Sequence, residues 1–493
     1  MSAAFFRFVT GVEKVLLRIS ARDVNSHFLK FPAQRLVDDV VDLEAHRSPS
    51  GLPAKYSPES ISLLKSLSLD VIIRSGDEVQ RGPALPFAKH GVLSLHYGDN
   101  RIGHSGPAGF WEVRHRHDYT GFAIQQLSDG QAKGHIIRRG YHPTKRTYLL
   151  NQRHLFACST QAFEDLLSAV AESQQLPLSD EHLPLGPHHS APPLTATLAY
   201  AVTTLRLALR DLWLRYVKRT EFRFSVAYSF NEWRSLVSSQ AHVVENPRGR
   251  YFADPFVIEH NGRQVCFVED YVYDTRRAHI TAIELSERGW KELGIALQEP
   301  FHLSFPFVFR YENELYMIPE SHEADEIRLY KCRVFPLEWD LHRTLMKGVS
   351  AVDTIVFQHA DRWWLFTNID LIHSGDHSHS HSLYAFHGDS PLSDRWTPHS
   401  ANPLMVDSSA ARNGGVIVEG DRVFRVCQSQ GFGTYGRSTR VFEVDELSEK
   451  TFAAKLVMSR NPDFLAGVLG THHLHCDGRV TVFDFMTREN PYA

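Results

Sequence analysis

The sequence predicts two structural classes in one chain, an α/β unit over residues 55–174 followed by an all-β five-bladed propeller over residues 222–493. Three observations lead there. From Phe222 onward, short aromatic-rich strands alternate with polar turns such as Asn261-Gly262 and Asp477-Gly478, the turn chemistry of antiparallel hairpins. Within that region a 16-residue unit repeats without gaps: DPFVIEHNGRQVCFVE from Asp254, FPFVFRYENELYMIPE from Phe305, DTIVFQHADRWWLFTN from Asp353 and NGGVIVEGDRVFRVCQ from Asn413. A weaker fifth copy, THHLHCDGRVTVFDF, begins near Thr471. The copies start 51, 48, 60 and about 58 residues apart (305−254, 353−305, 413−353, 471−413), close to the length of a four-stranded blade. Before residue 172, by contrast, helical and strand signals alternate in βαβ order, which points to a parallel sheet. A β-sandwich also yields regular hairpins and is the competing arrangement for the second region.

The elements follow in order. MSAAFFRFVTGVEKVLLRIS, interrupted by Arg7, Glu13, Lys14 and Arg18, reads as an amphipathic helix rather than a signal peptide, within a segment 1–54 that is otherwise irregular. Ser57-Pro58-Glu59 opens a helix with an N-cap followed by proline at its first position. LDVIIRS is a buried strand, PALPFAKHG a short helix stopped by Gly91, and VLSLHYG a second strand. TGFAIQQLS and GHIIRRG are further strands before a helix from about Tyr148 to Ala171. Pro177, Pro184, Pro187, Pro192 and Pro193 mark a linker, and residues 175–221 form that linker and a docking helix. In this helix Leu205, Leu209, Leu212 and Tyr216 recur at helical spacing, a face expected to pack between the domains. FRFSVAYSF is expected to close the propeller by adding a strand to its last blade, which protects sheet edges.

Composition narrows the function. At 493 residues the chain exceeds one core, and its 43% hydrophobic and 22% charged residues are those of a folded protein. A formal charge of −4 supplies no field for nucleic acid or anionic lipid. Five cysteines, Cys158, Cys266, Cys332, Cys427 and Cys476, form no C-x-x-C pair and read as buried thiols. His377, His379 and His381 read as solvated loop, so no metal is assigned. No apolar stretch reaches the length of a membrane span, and a cytoplasmic location is the expectation.

In a propeller the same repeat position of every blade faces the same channel. The first position holds Asp254, Phe305, Asp353 and Asn413; the last holds Glu269, Glu320, Asn368 and Gln428. These residues, with Arg412 beside the fourth unit, predict a carboxylate- and amide-rich pocket suited to sugar hydroxyls. Carboxylates from different blades are also the raw material of glycoside hydrolysis. The competing reading is that they cap turns or pair with Arg310, Arg412 or Arg437.

YFADPFV, followed by HLSFPFVF and YMIPES, resembles the five-bladed propellers of the family 43 glycoside hydrolases. More closely, residues 222–490 are similar to the N-terminal propeller domain of the plant glucosamine inositolphosphorylceramide transferases. The hydrolase resemblance implies Asp254 as general base, Asp353 as second carboxylate and a later-blade Glu as acid. Arg412-Asn413 stands where that Glu belongs, leaving Glu320 as the substitute acid.

Residues 69–140 resemble the catalytic half of the formyltransferase family, which includes the methionyl-tRNA and sugar formyltransferases and carries a partial doubly wound α/β fold. The strand VLSLHYGDN keeps His96 but has Ser94 at the family's Asn position, and Ala132 replaces its Asp. The resemblance implies 10-formyltetrahydrofolate as cofactor, with Ser94, His96, Asp99 and Asn100 around it; the changed positions imply a degenerate site. Together the two halves suggest a carbohydrate-directed transferase of surface glycan or glycolipid synthesis, taking a carbohydrate or sugar nucleotide. A non-catalytic glycan-binding scaffold and a glycoside hydrolase are the alternatives.

Overall fold

The computed structural model describes residues 2–19, 37–41, 43, 45–46, 55–74, 87–98, 106–127, 135–173, 175–176, 191–370 and 378–493. They form two compact units, Met1–Arg206 and Leu207–Ala493.

The first unit opens with helix α1 (Ser2–Ile19), as the amphipathic pattern predicts. A small antiparallel pair, β1 (Ala45–His46) and β2 (Lys55–Tyr56), precedes α2 (Pro58–Ser66). Ser57 caps α2 as expected, its Oγ accepting the Ser60 N–H at 3.2 Å. Strands β3 (Ile72–Arg74), β4 (Val92–His96), β5 (Tyr119–Leu127) and β6 (His135–Pro143) then form one sheet in sequence order. Only β3 and β4 run parallel; β4–β5 and β5–β6 are antiparallel. This corrects the expected doubly wound parallel sheet. The seven residues between Leu127 and His135 (135−127−1) are too few for a crossover of a dozen or more, so β5 and β6 form a hairpin. Phe87–His90 makes a turn bridged to Leu69 instead of the end of a helix; residues 83–86 of that expected helix lie outside the described residues, as do 177–190 of the linker.

Helix α3 (Phe110–His115) leads into β5, and α4 (Tyr148–Ser173) packs on β5 and β6. The first N–H groups of a helix have no partner within it, and here they are met from afar. Glu13 accepts the Leu149 N–H at 2.7 Å, and the Tyr200 hydroxyl accepts the Tyr148 N–H at 2.9 Å while donating to Glu13 at 2.7 Å. Burial raises the Glu13 carboxyl against these hydrogen bonds. Tyr200 belongs to α5 (Leu194–Leu212), which continues as one π-helical turn over Trp213–Val217. The face of Leu205, Leu209, Leu212 and Tyr216, expected to be packed, is exposed.

The second unit is the propeller. Strands β7 (Glu221–Ser229) and β8 (His242–Val243) come first. Blade 1 is β9–β12: Arg250–His260, Arg263–Val272, Arg277–Ser286 and Gly289–Leu297. Blade 2 is β13–β16: Ser304–Tyr311, Glu314–Glu320, Glu326–Val334 and Glu338–Lys347. Blade 3 contains β17 (Ala351–His359), β18 (Arg362–Ile369), β19 (Ser382–Gly388), β20 (Thr397–Pro398) and a side strand β21 (Met405–Val406). Blade 4 is β22–β25: Asn413–Glu419, Arg422–Gly431, Thr434–Leu447 and Phe452–Arg460. Blade 5 pairs β26 (Leu474–Asp477) and β27 (Val480–Glu489) with β7 and β8. FRFSVAYSF therefore closes the ring as expected, β7 lying antiparallel to β27 from Glu221↔Glu489 to Ser229↔Thr481.

Each inner strand packs on the inner strand of the next blade, and β26 returns to β9. Consecutive sheets meeting in a closed circle exclude the sandwich. Apolar side chains from facing blades fill the spaces between them, as Phe256 of blade 1 meets Phe305 at 4.9 Å and Phe307 at 5.5 Å in blade 2. Close approach is tightest where blade 4 meets blade 5. A Cβ on Gly414 would strike the His472 carbonyl oxygen, and one on Gly415 would sit 2.5 Å from that of Leu474. Gly414→Val is therefore expected to lower stability by more than about 2 kcal/mol, seen as a reduced urea midpoint.

Candidate functional site

The inner strands do more than line a channel. Asp254, Phe305 and Asp353, the first residues of three repeat copies, all have left-handed backbones, with φ of 48°, 45° and 51°. Each sits at a break in the register of its inner hairpin, between Phe267 and Glu269, Ser304 and Phe307, or Val352 and Ile355. Such bulges re-aim side chains, and non-glycine residues hold this strained conformation only where the surroundings impose it. Asp254, Glu269, Glu320 and Arg412 are thereby brought to a cavity of about 730 Å³, which Tyr251 and His472 also line.

Asp353 does not reach that cavity directly. It lies fully buried beneath Arg412, whose Nε donates to its Oδ2 at 2.5 Å; Gln428 Nε2 donates to the same oxygen at 3.0 Å. The Arg412 Nη2 also stands 3.8 Å from Glu320, and its guanidinium lies 5.0 Å from the centre of the Tyr435 ring. Burial pushes the Asp353 carboxyl up to about 8, against the pull of Arg412. Burial also works against charge on Glu320, but the His322 hydrogen bond at 2.8 Å and the charges of His322 and Arg412 outweigh it and hold Glu320 far below the usual carboxylate range. A Glu320 held toward its ionised form by His322 and Arg412 is less suited to donate a proton than Glu269, whose carboxyl is raised.

Asp254 and Glu269 behave differently. Burial raises Asp254 to about 6, with His472 opposing and Asp484 adding to the rise. Burial, then the charge of Asp254, raises Glu269 well above its ordinary value. Two interacting buried carboxyls titrate as a pair. Because the folded chain holds the Asp254 proton more tightly than the unfolded one, this group favours folding below 3.8 and loses that contribution as pH rises through about 6. A carbon-13 NMR titration of the side-chain carboxyls is expected to show one aspartate midpoint near 6; all aspartates in the ordinary range would contradict the pairing.

Asn368 and Gln428, expected to bind substrate, prove to be structural. Asn368 Nδ2 donates to the Ser382 and Ala411 carbonyls, and its Oδ1 accepts the Asn413 N–H at 2.9 Å. Gln428 links Asp353 to the Asn413 carbonyl. Both residues are buried behind the cavity wall because their strands need internal partners for amides that water cannot reach. The reading of solvated histidines is also corrected. His379 lies at the cavity with Nε2 3.0 Å from Ser350 Oγ, burial pushing it down to about 4, and His381 is buried; His377 lies outside the described residues.

The fifth blade supplies residues that sequence reasoning missed. Asp484 Oδ1 accepts the N–H groups of His472 and His473 at 3.1 and 3.0 Å, while Oδ2 accepts the Asp254 N–H and meets His472 Nδ1 at 2.7 Å. Asp484 thus anchors the Asp254 bulge across the seam between blade 5 and blade 1. Asp254, His472 and Asp484 are close enough to hold a metal ion among the described residues. The Asp484 oxygens are already engaged with these donors, and the cluster reads as an ion pair bracing Asp254. Both residues lie in the weak fifth copy, where a deletion blurs the alignment.

The opposite mouth opens to a cavity of about 830 Å³ that includes Glu259, Asp421 and Asp477. There Asp477 accepts the Glu259 N–H and Glu259 accepts that of Gly262. In the first unit Ser94 and His96 stand two apart in β4 and so on one face, His96 being buried. Asp99, Asn100 and Ala132 lie outside the described residues.

Comparison with known proteins places this site in context. Residues 235–462 match the family described as glucosamine inositolphosphorylceramide transferase 1, N-terminal. The span contains Asp254, Glu269, Glu320, Asp353 and Arg412. The chain is 35% identical over 239 residues to glucosamine inositolphosphorylceramide transferase 1 of Oryza sativa subsp. japonica, covering 45% of this chain and 31% of the rice protein. The protein of that name from Arabidopsis thaliana is 34% identical over 240 residues, covering 45% of this chain and 30% of its own length. The chain thus spans about a third of these relatives. Among solved structures it is similar to a thermostable family-43 glycoside hydrolase, at 15% identity and a TM-score of 0.33, covering 43% of this chain and 77% of that one.

Proposed function

We propose that the propeller binds a sugar and serves a carbohydrate-directed transferase acting in glycolipid synthesis. The observation that supports this most is that the match to the transferase family includes the cavity residues Asp254, Glu269, Glu320 and Arg412. In this reading ionised Asp254 accepts the proton of an attacking hydroxyl, protonated Glu269 donates to the departing oxygen, and Arg412 with Tyr435 orients the sugar. The carboxylates favour an amino sugar, in keeping with the glucosamine in the relatives' name. Saturation-transfer NMR is expected to show glucosamine binding more strongly than glucose, with the preference lost in Asp254→Asn; no saturable binding of either sugar would remove this reading.

Hydrolysis is the weaker reading. Asn413, at the position where the hydrolase resemblance asks for a Glu, is buried and donates to the Asp353 and Phe366 carbonyls. Binding without turnover of any glycan or glycolipid substrate would favour the scaffold. For the first unit, the proposal is a degenerate formyltransferase-like site around Ser94 and His96. Calorimetric titration with 10-formyltetrahydrofolate is expected to give no heat of binding, and a saturable signal would restore formyl transfer.

A further inference from the structure

Helix α5 and its π turn carry an apolar stripe that no described residue covers. Leu198, Val202, Leu205, Leu209, Leu212 and Tyr216 follow one another at steps of four, three, four, three and four residues, the spacing that keeps side chains on one helical face. Leu198, Leu205, Leu209, Leu212 and Tyr216 are each more than half exposed. The opposite face is held in the fold, since Thr197 and Tyr200 are buried and Tyr200 bonds to Glu13 and to the start of α4. At helical spacing Arg206 and Arg210 fall along one flank of the stripe, and Arg215, in the π turn, along the other. All three are exposed, whereas the one acidic residue of the segment, Asp211, lies away from the stripe and pairs with Arg210.

Cations on both flanks of an apolar strip, with Trp213 and Tyr216 near one end, complement a surface that is apolar below and anionic above. A protein partner with a plain apolar groove would supply no counter-charge to the arginines that flank it. Among the described residues no helix is long and apolar enough to cross a membrane. We therefore propose that this segment lies in the head-group layer of an anionic lipid bilayer, its leucines buried among the acyl chains and its arginines on lipid phosphates. Phe222, which lines the sugar cavity, follows the segment's last residue, Val217, by five positions (222−217), at most about 18 Å of extended chain. The seating itself does not depend on which sugar the cavity takes.

Co-sedimentation of the full chain with vesicles tests this. Phosphatidylcholine vesicles containing phosphatidylserine are expected to pellet the chain, with binding weakened by added salt, and pure phosphatidylcholine to hold it at least about fivefold more weakly. Arg206→Gln and Arg210→Gln should each lower binding about fivefold, and the Leu205→Asp/Leu209→Asp pair about a hundredfold or more. Unchanged circular dichroism and thermal midpoint would show that the variants fold. Absence of native binding to the anionic vesicles, or equal binding by the folded variants, overturns the proposal. So does a native dimer in sedimentation velocity that Leu205→Asp/Leu209→Asp converts to monomer, because the stripe then belongs to a second copy.

Discussion

Replacing Arg412 with methionine is expected to destabilise the propeller by about 3–5 kcal/mol, measured as the change in urea unfolding free energy. Arg412 is the cation that lies against both Asp353 and Glu320, and all three are buried. Removing it leaves Asp353 with Gln428 as its remaining side-chain partner and deprives Glu320 of one of the charges that keep it ionised. Leaving a buried carboxyl without its partner costs more than the pair contributed, whether the carboxyl stays ionised or takes up a proton. The double variant Arg412→Met/Asp353→Asn should therefore recover part of the loss, because it removes the stranded carboxyl along with its partner. An Arg412→Met chain as stable as the native one would mean that the buried charges are balanced elsewhere.

The second large effect separates function from stability. Asp254→Asn is expected to lower sugar transfer by about 10²- to 10⁴-fold, the range for removing a general base, with kcat falling more than KM rises. Stability should move the other way. Burial raises the Asp254 carboxyl to about 6, so at neutral pH the ionised form is held in the fold at a cost, and the neutral amide should leave the protein equally stable or up to about 3 kcal/mol more stable. Asparagine also tolerates the left-handed backbone at this position. A variant that is both stable and fully active would eliminate the propeller cavity as the site of chemistry.

The parts of this molecule legible in its sequence are those written in short periods. Repetition of strand, turn and strand exposed the blades and their inner hairpins, and the copies placed Asp254, Glu269 and Glu320 at equivalent ends. Arg412 was visible only as a neighbour of the fourth copy, and its union with Asp353 across two blades was an open alternative. His472 and Asp484 were hidden in the shortest, least regular copy. The direction of β5 and β6 was misread because local periodicity marks a strand without saying which way its partner runs. Asn368 and Gln428 were misread because an amide at a repeat position looks the same whether it faces the channel or the wall.

The sequence by itself determined the number of blades, the closing strand, the Ser57 cap and the carboxylate-rich rim, since alternating apolar residues and turn chemistry act over a few neighbours. Only the tertiary structure decided the chemistry of that rim. Closing the ring buries together residues 230 positions apart, as in the Asp484 bond to the Asp254 N–H. There each carboxyl takes its protonation from burial and from the charges that other blades bring against it: Glu320 held toward its ionised form by His322 and Arg412, Glu269 pushed toward its protonated form beside Asp254.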